Sequence, residues 1–157
     1  MHVLLRQVPM ALGVVLLQWL VFGRLQVFGA FPDVVLLYVA YVGLRFGRVP
    51  GAVAGFATGA LLGAAYGMWG SQMLVKTLMG FVVGQFQTQG TEAPSLGAFR
   101  TFGGALALAL VHNGLLAVIL ALDHGTRTAE YLIGAFWVGS AVLTAVVAVL
   151  WTLARGR

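Results

Sequence analysis

The pair His112-Asn113 is the first place to look for chemistry. It stands near the middle of a long apolar run, where a polar side chain is costly unless paired, so it faces the protein interior. An imidazole there is a core histidine bonded to another helix, or it relays protons. A relay needs acids nearby. The four acidic residues, Asp33, Glu92, Asp123 and Glu130, all fall at helix ends or in loops, so the structural role is the first reading of His112 and Asn113. Ser140 and His112 would make a dyad only if the fold joined them and a third group oriented the ring. Lys76 is the one charge inside an apolar span, about 7–8 Å into its helix at 1.5 Å per residue. Its stem either snorkels towards headgroups or meets an intramolecular partner, with a functional ion pair or transport role as the alternative. Gln18 and Gln72 are lesser cases of the same kind.

No other pattern points to catalysis. The chain has no cysteine, which excludes disulfides, thiolate metal sites and cysteine nucleophiles. It has no His-Glu-x-x-His run, no phosphate-binding loop and no dinucleotide fingerprint. No enzymatic activity, metal or cofactor is expected.

Three further groups of residues concern packing and partners. Gly51, Gly55, Gly59, Gly63 and Gly67 follow one another at a spacing of four. Four residues advance about 400° around a helix, so these glycines form a slowly drifting stripe. A stripe without Cβ atoms lets another backbone come close, which matters in lipid, where helix association relies on packing. Gly80 and Gly84 repeat the device in the next segment. The two segments are joined by a short connection and must be antiparallel neighbours. Packing within the chain is the bland explanation, and a partner helix or a moving interface is the other. Pro32-Asp33 opens a helix: proline suits a first turn, and the carboxylate can meet the positive helix end or free N–H groups there. A salt bridge to a partner or to Arg24 is the alternative for Asp33. Arg45 and Arg48, near Pro50, make a small basic patch suited to anionic headgroups or a cytoplasmic partner, not to nucleic acid.

The elements that must position these residues follow from composition. Of 157 residues, 61% are hydrophobic, 22 are glycine and only 8% are charged, against about 25% charged in an ordinary soluble domain. So few charges cannot cover the surface of a water-soluble globule this small. The chain is read as an all-α polytopic membrane protein. Apolar segments lie at about 7–23, 32–44, 49–68, 71–86, 98–122 and 129–153. The first, behind Arg6, is read as a retained helix, because no clear cleavage site follows it. With the N-terminus inside, the inner side receives Arg6, Arg45, Arg48, Arg100, Arg155 and Arg157, and the outer side Arg24 and Arg127. That bias predicts six crossings, short loops and both termini in the cytoplasm. One membrane domain over 1–157 is expected, with three-helix halves at 1–86 and 98–157 joined by the polar cytoplasmic loop 87–97.

The run Phe31-Pro32-Asp33-Val34-Val35-Leu36-Leu37 opens the second segment. Gly51-Ala52-Val53-Ala54-Gly55-Phe56-Ala57-Thr58-Gly59-Ala60-Leu61-Leu62 follows in the third, and Leu78-Met79-Gly80-Phe81-Val82-Val83-Gly84 closes the fourth. This organisation resembles the rod shape-determining protein MreD family of bacteria, most clearly over residues 31–86. The resemblance implies a non-enzymatic, multi-pass inner-membrane subunit of the cell-wall elongation machinery that supports rod shape and peptidoglycan synthesis. It implies a bitopic MreC-like partner, and proximity to the MreB filament and to a RodA-type polymerase with its class B transpeptidase. Membrane lipids are the remaining partners. Many relatives carry an aspartate four residues after the glycine matching Gly59, and here that position is Gly63. The family fold has also been likened to substrate-binding membrane subunits of vitamin transporters. A small transporter subunit is therefore the alternative.

Overall fold

The computed structural model describes residues 2–87, 97–124 and 131–155. The expected loop over 87–97 lies, but for its two ends, outside the described residues, as do Arg127, Glu130 and Arg157. The protein is all-helical, with six α-helices among the described residues: α1 (His2–Leu17), α2 (Val34–Phe46), α3 (Arg48–Tyr66), α4 (Ser71–Val83), α5 (Ala98–His124) and α6 (Ser140–Arg155). Two π-helical stretches adjoin them, Gln18–Phe22 after α1 and Tyr131–Gly139 before α6, and a short 3₁₀ turn over Gly84–Phe86 follows α4. Among the described residues, three helical spans are long and apolar enough to cross a membrane: Arg48–Tyr66, Ala98–Leu122 and Gly134–Ala154, of 19, 25 and 21 residues. The apolar helices Gln7–Phe22 and Val34–Phe46 are shorter than the roughly 20 residues a perpendicular crossing needs.

The helices divide into two compact units. The first combines Met1–Val21 with Val35–Ala93, and the second combines Phe22–Val34 with Pro94–Arg157. The short segment Phe22–Val34 thus packs with α5 and α6, although it precedes α2 in the chain.

In the first unit, α2, α3 and α4 follow one another through tight connections. Only Gly47 separates α2 from α3, and its φ of 93° is a left-handed conformation open to glycine. A side chain at Gly47 would also run into the side-chain amide of Gln87. Helix α3 ends at Gly67, whose φ of 69° closes it in the left-handed manner, with the Gly67 N–H bonded to the Gly63 carbonyl. Residues 67–70 then turn the chain into α4. The apolar core of this unit gathers Val15 of α1, Val35, Tyr38, Val39 and Val42 of α2, and Leu62 of α3. The Tyr38 hydroxyl donates to the Gln7 backbone carbonyl at 3.2 Å, tying α2 to α1.

In the second unit, α5 and α6 pack along most of their length. Small residues on both helices are buried: Ala105 and Ala109 on α5, and Ala141, Ala145 and Ala148 on α6. The non-helical residues 23–33 lie with them. Their N-terminal part is a tight turn in which Val27 and Ala30 exchange two backbone hydrogen bonds, of 2.9 and 3.0 Å. Both central residues have positive φ, 53° at Phe28 and 82° at Gly29, the backbone of a hairpin turn.

Candidate functional site

The glycine stripe expected on α3 is a seam against α4. Cβ atoms built on Gly51 and Gly55 would collide with the backbone carbonyls of Gly80 and Lys76, and one on Gly59 would stand 2.6 Å from that of Gln72. At Gly63 the carbonyl of Met68 is 3.1 Å away. Each step of four along α3 is matched by a step of four back along α4, as an antiparallel register requires. In each case the Cα–H that replaces the missing Cβ side chain points at a carbonyl oxygen, a weak but recurrent contact at close helix crossings. Gly80 and Gly84 face the same seam from α4, against Gly51 and Arg48. Gly67 does not belong to it. A Cβ there would meet nothing within 4 Å, and this glycine serves the left-handed helix end instead.

One seam residue escaped the spacing argument. Gly43 of α2 lies with its missing Cβ 3.0 Å from the Gly80 carbonyl and 3.1 Å from the Gly84 nitrogen, and Gly51 faces the Gly43 Cα. Three backbones therefore converge on Gly43, Gly51, Gly80 and Gly84. Gly43 stands alone in its segment and forms no repeat, so nothing in the sequence marks it.

The polar site lies in the second unit. His112 and Asn113 of α5 are both buried, at 1% and 4% exposure. Asn113 donates from Nδ2 to the Trp137 carbonyl at 3.4 Å. This fixes its amide so that Oδ1 lies 3.0 Å from His112 Nδ1. The Trp137 indole returns the tie by donating to the Leu110 carbonyl at 2.8 Å. Gly114 leaves room for that indole, which a Cβ would meet at 3.2 Å. On the far side of the imidazole, Nε2 is 4.0 Å from Asp33 Oδ2. With the Nδ1 proton directed at Asn113, the Nε2–Asp33 contact is attractive when a further proton sits on the imidazole or on the carboxyl group.

Of the four acids read at helix ends or in loops, Asp33 is therefore brought to His112. The carboxylate does not come from a helix middle. It comes on the 22–34 segment, which bends back onto α5 and α6. Two hydroxyls of α6 hold that segment: the Phe31 N–H donates to Ser140 Oγ at 3.1 Å and the Asp33 N–H to Thr144 Oγ1 at 2.9 Å. Both hydroxyls donate in turn to backbone carbonyls, Ser140 to Ala135 and Thr144 to Ser140. The pairing by spacing of Ser140 and Thr144, one helical turn apart, was a signal available in the sequence. Pro32 between the two tied residues is buried, and Phe31 meets Phe136 edge-on at 6.4 Å. Ser140 is thus engaged with backbone on both sides, as a positioning group rather than as part of a dyad with His112.

The other expected sites are placed as follows. Lys76 is fully buried and engaged in an interaction, so it does not snorkel. Arg45 is partly buried and engaged, and Arg48 is exposed. Neither Asp33 nor Lys76 is presented as an outward docking charge. Gln72 is 7% exposed, and its side-chain oxygen has no hydrogen-bond partner among the described residues. No group of three or more His, Cys, Asp or Glu residues suited to a metal ion occurs among the described residues. The chain matches no protein-family model, no curated protein and no solved structure.

Proposed function

We propose that this protein is a non-enzymatic, multi-pass membrane scaffold subunit of the bacterial cell-wall elongation machinery, resident in the inner membrane. In this reading it crosses the membrane six times with both termini in the cytoplasm and binds a bitopic, MreC-like shape-determining partner. The MreB filament and a RodA-type polymerase with its class B transpeptidase lie close by. The observation that carries the scaffold reading is the polar network of the second unit. Asp33, His112, Asn113, Ser140 and Thr144 are directed at one another and at backbone groups, and their effect is to tie a non-helical segment into a helical unit. The link to cell-wall elongation rests on the resemblance of residues 31–86. The six crossings rest on the arginine asymmetry. They require α2 and α4, each of 13 residues and so about 20 Å long, to cross with help from adjoining turns.

The test is capture of the bitopic partner by the tagged protein in mild detergent, with single-cysteine labelling at Gly29 and Arg157. The scaffold reading expects a stable complex, outside labelling at Gly29 and inside labelling at Arg157. Failure to capture the partner from cells that hold both proteins would remove the functional assignment. Outside labelling of Arg157→Cys would remove the six-crossing topology.

A second reading, a small transporter subunit, is favoured by one observation, the acid–imidazole pair of Asp33 and His112. His112→Ala separates the two. The scaffold reading expects lower detergent stability and no change in any flux. Unchanged melting with loss of a proton or solute flux would favour the transporter.

A further inference from the structure

We propose that the groove between the 27–30 turn and the start of the last helical span holds one acyl chain of an anionic bilayer phospholipid, with Arg24 at its headgroup. This rests on the membrane reading above and adds a ligand to it. The groove has a volume of about 420 Å³, the size of a pocket for a single small ligand. Val27, Phe28 and Ala30 form one wall, and Gly134, Gly139 and Val142 form the other. All its lining side chains are apolar, and it opens on the surface of Gly134–Ala154, a span long and apolar enough to cross a membrane. The medium that such a surface meets there is hydrocarbon.

Three further observations converge on the same place. Phe28 sits at the tip of the turn that the Val27–Ala30 backbone hydrogen bonds close, and it lines the groove. The residue is 98% exposed, so this apolar side chain of the groove wall is left uncovered by the described residues. Gly134 and Gly139 of the opposite wall belong to the π-helical stretch Tyr131–Gly139, and π-helical turns are frequent at functional sites. A Cβ on Gly134 would meet nothing within 4 Å, so the groove is open there, whereas the two walls meet at Gly139, where a Cβ would press on Ala30 at 2.9 Å. Charge then selects the occupant. Arg24 precedes Val27 by three residues, about 10 Å of chain at most. It is exposed and has no side-chain partner among the described residues. A guanidinium carried within that chain length of an apolar slot matches an anionic headgroup joined to an acyl chain.

The experiment uses the full chain in nanodiscs of phosphatidylglycerol or phosphatidylcholine, each with a trace of the same lipid carrying a diazirine on its acyl chain. Mass spectrometry locates the adducts. A carbonate wash of the source membranes comes first, and release of the protein there overturns the membrane reading and this proposal with it. For a retained protein, adducts should concentrate on Phe28 and Val142 over the lipid-facing residues Val146 and Leu150. They should favour phosphatidylglycerol by about fivefold, the effect of one surface cation. Gly134→Leu should fill the groove and remove the excess at Phe28 and Val142 without lowering the melting temperature. If that variant does not fold, Val142→Trp serves the same purpose from the other end of the groove. Arg24→Gln should abolish the headgroup preference and keep the adducts. Equal labelling of Val142, Val146 and Leu150 would mean annular lipid only and overturn the proposal. So would an undiminished headgroup preference in Arg24→Gln, or a co-purifying protein helix cross-linked into an unlabelled groove.

Discussion

The first unit holds α3 against α4 through backbone contact across glycines, and the second ties its parts through side chains that reach backbone groups. At Gly51, Gly55 and Gly59 the neighbouring carbonyls stand where a Cβ would be. At Ser140, Thr144 and Asn113 a side chain spans the gap to a backbone N–H or carbonyl that regular helix bonding leaves available. Both answer the same need, because apolar side chains gain little from meeting one another rather than lipid. Their weaknesses are opposite. A glycine seam fails when an atom is added, and a hydrogen-bonded tie fails when one is removed.

The largest expected effect is therefore an addition to the first unit. Gly80→Ala places a methyl group on the Gly51 carbonyl, which the backbone cannot yield without separating α2, α3 and α4. The loss should reach about 3 kcal/mol or more, at the upper end for overpacking, read as early melting in detergent. A Gly80→Ala protein that melts like the wild type would break the comparison. Deletions in the second unit come next. Ser140→Ala and Thr144→Ala leave the Phe31 and Asp33 N–H groups without their acceptors, at about 1–3 kcal/mol each. Hydrogen exchange at those two amides should accelerate in the matching variant, whereas unchanged protection at both would show that other groups hold the segment. The smallest effects sharpen the distinction within glycines. Gly67→Ala meets no atom but takes a left-handed φ, costing about 1–2 kcal/mol. Gly103→Ala on α5 meets no atom and keeps a helical backbone, so it should be neutral or gain up to about 1 kcal/mol. A loss at Gly103→Ala comparable to that at Gly80 would place a second close contact on α5.

The sequence made part of this legible. The spacing of Gly51 to Gly63 is periodic on the helix repeat, so it announces a stripe, and the short link to α4 names its partner. Gly67 continues the spacing but not the helix, and a φ angle leaves no mark on a spacing. His112-Asn113 was visible as a polar pair at apolar depth. Its acidic partner was not, because Asp33 reaches it through a bend of residues 23–33 that joins positions 79 apart in the chain. Apolar periodicity also does not separate π-helix from α-helix over the nine residues of Tyr131–Gly139, so the sixth segment read as one uniform helix.

The central claim is that the glycine seam builds the protein and leaves partner binding to another surface. Gly55→Leu tests it most directly, with monodispersity and capture of the proposed bitopic partner measured on the same preparation. Because a side chain at Gly55 collides with the Lys76 carbonyl, the protein should lose monodispersity and melt early, and any fraction that stays folded should still capture the partner. A monodisperse Gly55→Leu protein with wild-type melting that no longer captures the partner would contradict the account and move the interface onto α3.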